Sequence, residues 1–143
     1  MKKLILFSVL LFLVVSLVAC AADKKPAKQT QTSVNSTSKI EVYYFHYTRR
    51  CTTCQAVETE SQKAIQTLYP EQTKKGLIIF KSVNLDDKTS EDLAKKCKAD
   101  GQTLLVISGS KRFDLTEQGF MYAVNKPEKL MQELKTAIDP LLK

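Results

Sequence analysis

The sequence predicts one α/β domain, built on a mixed four-stranded sheet with helices on both faces. Three observations predict it. The run Ile40-Glu41-Val42-Tyr43-Tyr44-Phe45 is apolar at nearly every position, which suits a central strand covered on both sides. Apolar periodicity then alternates between strand and helix, in the order strand, helix, strand, helix, strand, strand, helix. Third, the pair Cys51-Thr52-Thr53-Cys54 stands where the first strand gives way to the first helix.

The segments before this domain carry a different signal. Lys2 and Lys3 precede a run from Leu4 to Val18 that is apolar apart from Ser8 and Ser16, and small residues then surround Cys20. About 15 apolar residues are too few for a membrane span, which needs roughly 20. They have the form of a secretion signal over residues 1–19. Leu17-Val18-Ala19-Cys20 resembles the bacterial lipobox, which implies lipidation of Cys20 as the mature N-terminus. The competing reading is an uncleaved helical anchor. Either places the body of the protein outside the cytoplasm, in a bacterial cell envelope on the periplasmic or extracellular side. From Ala21 to Ser38 the chain is rich in Ser, Thr, Gln and Lys and nearly free of apolar residues. Such a segment cannot bury enough surface to offset its ordering entropy. Residues 20–38 therefore read as the lipidated cysteine and a flexible tether, with a root-mean-square reach of roughly 25 Å. The domain spans residues 39–143, long enough for its own core.

Charge excludes one class of partner. The chain has 22 Lys and Arg against 15 Asp and Glu, a net charge of +7. Loss of Lys2 and Lys3 with the signal lowers this by two, to +5. The excess is spread along the chain, with no basic stripe interleaved with aromatics. It reads as a solvated surface and not as a nucleic-acid interface. The expected partners are the membrane, through the N-terminal lipid, and an extracytoplasmic redox protein.

Each element has its own warrant. The first strand covers about Ile40 to Tyr47, and His46 to Arg50 form a loop. The first helix starts near Cys51 and ends by Tyr69, before Pro70. Cys54, Val57, Ser61, Ala64, Ile65 and Leu68 share one helical face. Glu58 and Glu60 lie in its early turns, where the helix dipole favours acids. Gly76 opens a second strand, about Leu77 to Leu85, and Asn84 to Lys88 form a turn. A second helix covers about Ser90 to Lys98, capped by Thr89 or Ser90, with Gly101 past its end. Thr103 to Ser108 is a strand, joined through Gly109-Ser110 to an antiparallel strand over Lys111 to Thr116. In the last helix Asn125 and Glu128 have capping-box spacing, and Pro127 sits in the first turn. Its core stripe is Leu130, Leu134, Ala137, Ile138 and Leu141. Pro140 weakens its end.

With the dithiol at the N-terminus of the first helix, the βαβ-αββα order resembles the thioredoxin fold. The likeness covers nearly the whole domain, about Ile40 to Leu142. Tyr43-Tyr44-Phe45-His46, Arg49-Arg50-Cys51-Thr52-Thr53-Cys54-Gln55, Gly101-Gln102-Thr103-Leu104-Leu105 and Gly119-Phe120-Met121-Tyr122 together resemble a narrower group. This is a family of bacterial thioredoxin-like lipoproteins labelled nitrophenyl compound nitroreductase subunit. The label implies an electron-transfer partner of a flavin enzyme, because no flavin or nicotinamide motif occurs here.

The dithiol suggests its own chemistry. A thiolate is the reactive form of cysteine, and a free thiol has a pKa of about 8.5; at a helix N-terminus beside basic residues it falls to about 3.5–7.5. Arg49 and Arg50 adjoin Cys51, and His46 is a few residues away. Cys51 is the expected nucleophile and Cys54 the resolving cysteine of thiol–disulfide exchange, with no cofactor beyond the redox-active Cys51–Cys54 disulfide. A static structural disulfide is the bland alternative, although so small a ring gives little loop-closure stabilisation.

Four departures from the thioredoxin pattern matter. The intervening dipeptide is Thr52-Thr53, without the proline typical of that family, and arginines stand where thioredoxins keep a tryptophan. The family's buried aspartate is replaced by Tyr44 or Phe45. No proline occurs between Pro70 and Pro127, so Gln102 precedes Thr103 where the resemblance implies a cis-proline. In the family that proline shapes the substrate groove and keeps metals off the dithiol. Its loss points away from broad reductase work, to a specific partner or to metal. Cys51, Cys54 and His46 would suit copper(I), zinc or a thiophilic metalloid such as arsenic. A third reading is a binding module that retains the fold without turnover. Cys97, in Lys95-Lys96-Cys97-Lys98, is left over; the reading is a half-buried unpaired thiol, and the alternative a second redox or ligand site or an intermolecular disulfide.

Overall fold

The computed structural model describes residues 38–143, as strand β1 (Ile40–His46), helices α1 (Thr52–Leu68) and α2 (Pro70–Lys74), β2 (Ile78–Asn84), α3 (Glu91–Cys97), β3 (Thr103–Ser108), β4 (Lys111–Asp114), α4 (Thr116–Tyr122) and α5 (Pro127–Ile138). The expected signal, Cys20 and the tether up to residue 37 lie outside the described residues. The four strands form one sheet in the order β2-β1-β3-β4. β1 runs parallel to β2, with Ile40 opposite Ile78 and His46 opposite Asn84. It runs antiparallel to β3, with Glu41 opposite Ile107 and Phe45 opposite Thr103. β3 and β4 form the expected hairpin. This is the mixed sheet of the thioredoxin-like fold.

Period-two alternation sorts the strands into two cores. Ile40, Val42 and Tyr44 point to one face with Leu104 and Val106, where α1 and α5 bury Val57, Ile65, Leu130, Leu134 and Ile138. Tyr43, Phe45 and Leu105 point to the other, against Val83 and the α3 region with Ala94, Cys97 and Ala99. Helices thus cover both faces, and β1 is the central strand its doubly apolar pattern predicts. Cys54, Val57, Ser61, Ala64 and Ile65 are the buried residues of α1. The α5 stripe is buried in full, through Leu141.

The boundaries differ from expectation in several places, each with a local cause. Tyr47 leaves β1 and is 39% exposed. Pro70 ends α1 and also opens the short helix α2 at its first position, where its missing N–H costs nothing. β4 stops at Asp114, and residues 116–122 form α4 in place of strand end and loop. Asp114 draws the chain inward there, accepting from the backbone N–H and the hydroxyl of Thr116. Asn125 and Glu128 form no capping box: the N-cap of α5 is Lys126, without a side-chain cap hydrogen bond. Ser90 stands at the N-cap of α3, yet its hydroxyl donates to the carbonyls of Asn84 and Asp87. The side-chain cap comes one turn earlier, from Asp87 to the Thr89 N–H. Lys98 (φ 52°), and not Gly101, takes the left-handed position that ends α3.

Candidate active site

β1 delivers its chain to the edge of the sheet where β3 begins. From there residues 47–50 climb to Cys51, the N-cap residue of α1 in extended backbone conformation. Cys51 and Cys54 are joined by a disulfide, with Cα atoms 5.2 Å apart. The two sulfurs have unequal surroundings. Cys51 is exposed, whereas Cys54 is 3% exposed and turned into the core beside Val57. The backbone N–H of Cys54 points at Cys51 Sγ, 3.3 Å away. Cys51 therefore takes the place of the Ser, Thr or Asp that usually satisfies a free N–H of the first turn. In the reduced state that N–H and the helix dipole both favour negative charge on Cys51 Sγ.

The predicted supporting residues divide. Arg50 forms an ion pair with Glu58, about two turns into α1, and both are partly buried. Glu58 thus answers Arg50 and does not sit in the first turn, which holds no acid. Arg49 is exposed and makes no ion pair among the described residues. His46 is 7% exposed and both its nitrogens are engaged. Nε2 lies 2.8 Å from Ser82 Oγ and Nδ1 2.9 Å from the Tyr47 carbonyl. Its ring also packs beside Tyr44, with centroids 5.9 Å apart. His46 is tied to β2 and its own loop, a structural engagement.

Thr103 opens β3, with Gln102 just before it, at the end of the sheet from which the chain leaves β1 for the dithiol, and Thr103 stands opposite Phe45. Thr103 is buried and donates its hydroxyl to the Gly101 carbonyl at 2.8 Å, which shapes this turn without a proline. No peptide bond among the described residues is cis. Tyr44, at the base of the site on β1, has its hydroxyl buried without a hydrogen-bond partner among the described residues. Burial pushes its pKa up to about 12, against a small downward pull from Arg50.

The same edge carries a loop brace that sequence reasoning missed. The Asp86 carboxylate accepts from the Thr48 N–H at 2.7 Å, and the Asn84 side chain donates to the Thr48 hydroxyl at 2.9 Å. These two contacts fasten the loop that leads into Cys51 to the end of β2 and the turn after it. The signal was present in Asn84-Leu85-Asp86-Asp87, a turn-forming set, but its partner lies 36 residues away. Among the described residues, no group of three or more His, Cys, Asp or Glu side chains is arranged to hold a metal ion. Cys51, Cys54 and His46 are not brought together as a ligand set.

No protein-family model matches the chain, and no curated protein matches it. Several solved structures are similar to it. One is described as a malarial protein, 21% identical with a TM-score of 0.45, the match covering 71% of this chain and 99% of that one. Another is the germline-specific thioredoxin Deadhead of Drosophila melanogaster, 17% identical with a TM-score of 0.45, covering 69% and 81%. A third is mitochondrial thioredoxin 3 of Saccharomyces cerevisiae in its oxidised form, 20% identical with a TM-score of 0.43, covering 69% and 79%. The fold assignment rests on the sheet order and the placement of the helices.

Proposed function

We propose that the chain is an exported, lipid-anchored thiol–disulfide exchange protein that acts on a specific extracytoplasmic partner. The observation that carries the exchange chemistry is the asymmetry of the pair. Cys51 is exposed and accepts a helix-terminal N–H, while Cys54 is buried one turn behind it. In the reduced form the Cys51 thiolate attacks one sulfur of a partner disulfide. A Cys51–partner bond forms and the second partner sulfur leaves as a thiolate that takes up a proton. Cys54, deprotonated, then attacks Cys51 Sγ and expels the first partner sulfur. The partner gains two electrons, and the chain returns to the Cys51–Cys54 disulfide. The reverse sequence oxidises a partner dithiol. The export and anchoring part of the proposal rests on residues 1–20, and the narrower lipoprotein resemblance suggests a flavin enzyme as the electron-exchange partner.

The test is the redox behaviour of the pair. The reduction potential of Cys51–Cys54 is measured against glutathione, and the Cys51 thiolate is titrated by alkylation rate. A thiol pKa near 8.5, with no exchange to any disulfide substrate, removes the reading. Mass measurement of the protein from bacterial membranes tests the anchor, through diacylglycerol on Cys20.

A further inference from the structure

A concave site lies at the end of the sheet opposite the dithiol. It is a pocket of about 550 Å³ between α3 and the β3–β4 hairpin, within the roughly 300–1,000 Å³ of small-molecule sites. Its position is fixed by register: Glu41 and Ile107, which line it, face one another where β1 begins and β3 ends. The dithiol leaves from the other end of β1.

The lining is strongly basic. Lys96, Lys98, Lys111 and Arg112 contribute four cations, and the three lysines make no ion pair among the described residues. Arg112 is held in place by the Cys97 carbonyl and Asp114, each at 3.2 Å. Glu41 is the one acid of the lining, and it is already neutralised. Lys81 Nζ donates to its Oε1 at 2.8 Å and to the Tyr43 hydroxyl at 3.3 Å. Leu93, Ile107 and the Tyr43 ring supply an apolar wall.

Lys98 adds a second, independent observation. It ends α3 at φ 52°, ψ 47°, and is the one non-glycine residue with positive φ among those described. Glycine occupies this position at lower cost. A lysine here gives up stability and adds a cation to the pocket.

From this convergence we propose that the pocket binds an organic phosphate, its anionic head on Lys96, Lys98, Lys111 and Arg112 and its apolar body on Tyr43, Leu93 and Ile107. The head belongs either to a free phosphate ester or to an anionic lipid. The lipid source rests on the anchor proposed above, with the described chain entering the fold at this end: Ser38 accepts from the Ser108 hydroxyl at 3.1 Å, beside the hairpin turn at Gly109.

Cys97 provides a local reporter. It lines the pocket, is 5% exposed, and is the one free cysteine among the described residues. The full chain, with Cys51–Cys54 oxidised, is alkylated with neutral iodoacetamide, and the Cys97 peptide is followed by mass. Phenyl phosphate at constant ionic strength, phosphatidylglycerol vesicles and phosphatidylcholine vesicles form three arms. Protection by phenyl phosphate identifies a free ester as sufficient, and protection by phosphatidylglycerol alone identifies the lipid head. Absence of protection in both overturns the proposal, as does equal protection by phosphatidylcholine and phosphatidylglycerol without phenyl phosphate protection. Lys98→Gly separates binding from folding. It should raise the melting temperature, since the backbone strain is relieved, and weaken protection about tenfold through loss of one charge-assisted contact. Protection unchanged in Lys98→Gly and in a Lys98→Gly/Lys111→Gln double variant also overturns it.

Discussion

The backbone N–H of Cys54 points at the sulfur of Cys51, 3.3 Å away, so the nucleophile of the proposed exchange is also the N-cap of its own helix. The two roles reinforce one another in the reduced state, because a thiolate is a better acceptor for that N–H than a thiol. Their placement makes the cysteines unequal. Cys54→Ser should accumulate mixed disulfides through Cys51 in cells, seen as reductant-sensitive bands on non-reducing gels. Cys51→Ser should accumulate none, since Cys54 is buried. Equal trapping by both variants would contradict the assignment of attacking and resolving roles.

Arg50 and Glu58 set the local field. With the ion pair formed, the Glu58 carboxylate offsets the positive charge of Arg50, the residue next to Cys51. Glu58→Gln frees the guanidinium and should lower the Cys51 thiol pKa; Arg50→Gln strands the carboxylate and should raise it. Each shift should stay below about 1 unit, because both side chains are partly solvated. The pH dependence of iodoacetamide reaction with the reduced protein measures both. Shifts of the same sign in the two variants would exclude this account.

Much of the architecture is legible from alternation and spacing alone. Ile40 to Phe45 is apolar on both faces because both faces are covered, and the Cys54-to-Ile65 face of α1 is buried as its period demands. What is illegible depends on distant partners. α4 is hidden because it is short and carries Gly119 at its centre, a residue that opposes helix formation by about 1 kcal/mol; contacts with Val57 and Leu104 hold it there. Asn125 and Glu128 have the right spacing for a capping box, but Lys126 takes the cap position, so spacing alone misleads. The place of the dithiol between β1 and α1 is readable from the sequence. The engagement of His46 with Ser82, and the pairing of Arg50 with Glu58, arise from side-chain choices that the sequence leaves open.

Gly119 tests the packing of α4. A Cβ there would lie 3.1 Å from Val57 Cγ1 and 3.3 Å from Leu104 Cδ2, both in fully buried residues. Gly119→Ala gains about 1 kcal/mol of helix propensity and meets an overpacking cost of about 1–3 kcal/mol. The expected net loss is about 1 kcal/mol, or about 4–8 °C in melting temperature for a domain of this size. Thermal unfolding followed by circular dichroism decides it, and a rise in Tm would show that the neighbours yield at no cost.

Tyr69 and Asp139 join the end of α1 to the end of α5, and their titration should appear in the stability profile. The Tyr69 hydroxyl donates to Asp139 Oδ1 at 2.6 Å, and Lys135 pairs with the other carboxylate oxygen. Lys135, and then Tyr69, hold the Asp139 carboxyl below the ordinary range. A depressed folded pKa contributes stability that is present above the unfolded value of about 3.9 and is lost as pH falls below it. Tyr69 is shifted the other way: burial first, then the Asp139 hydrogen bond, raises its pKa. That stability is present below the unfolded value of about 10 and is lost as pH rises through the folded value. Asp139→Asn should therefore lower Tm at pH 7 by a small amount, since the carboxylate is solvent-exposed, with the deficit shrinking as pH falls below the unfolded value of about 3.9. Tyr69→Phe should remove part of the alkaline loss seen above about pH 10. Melting curves from pH 2 to pH 11 on the three proteins test both limbs, and a deficit in Asp139→Asn that persists undiminished at pH 2 would assign its effect to packing instead of charge.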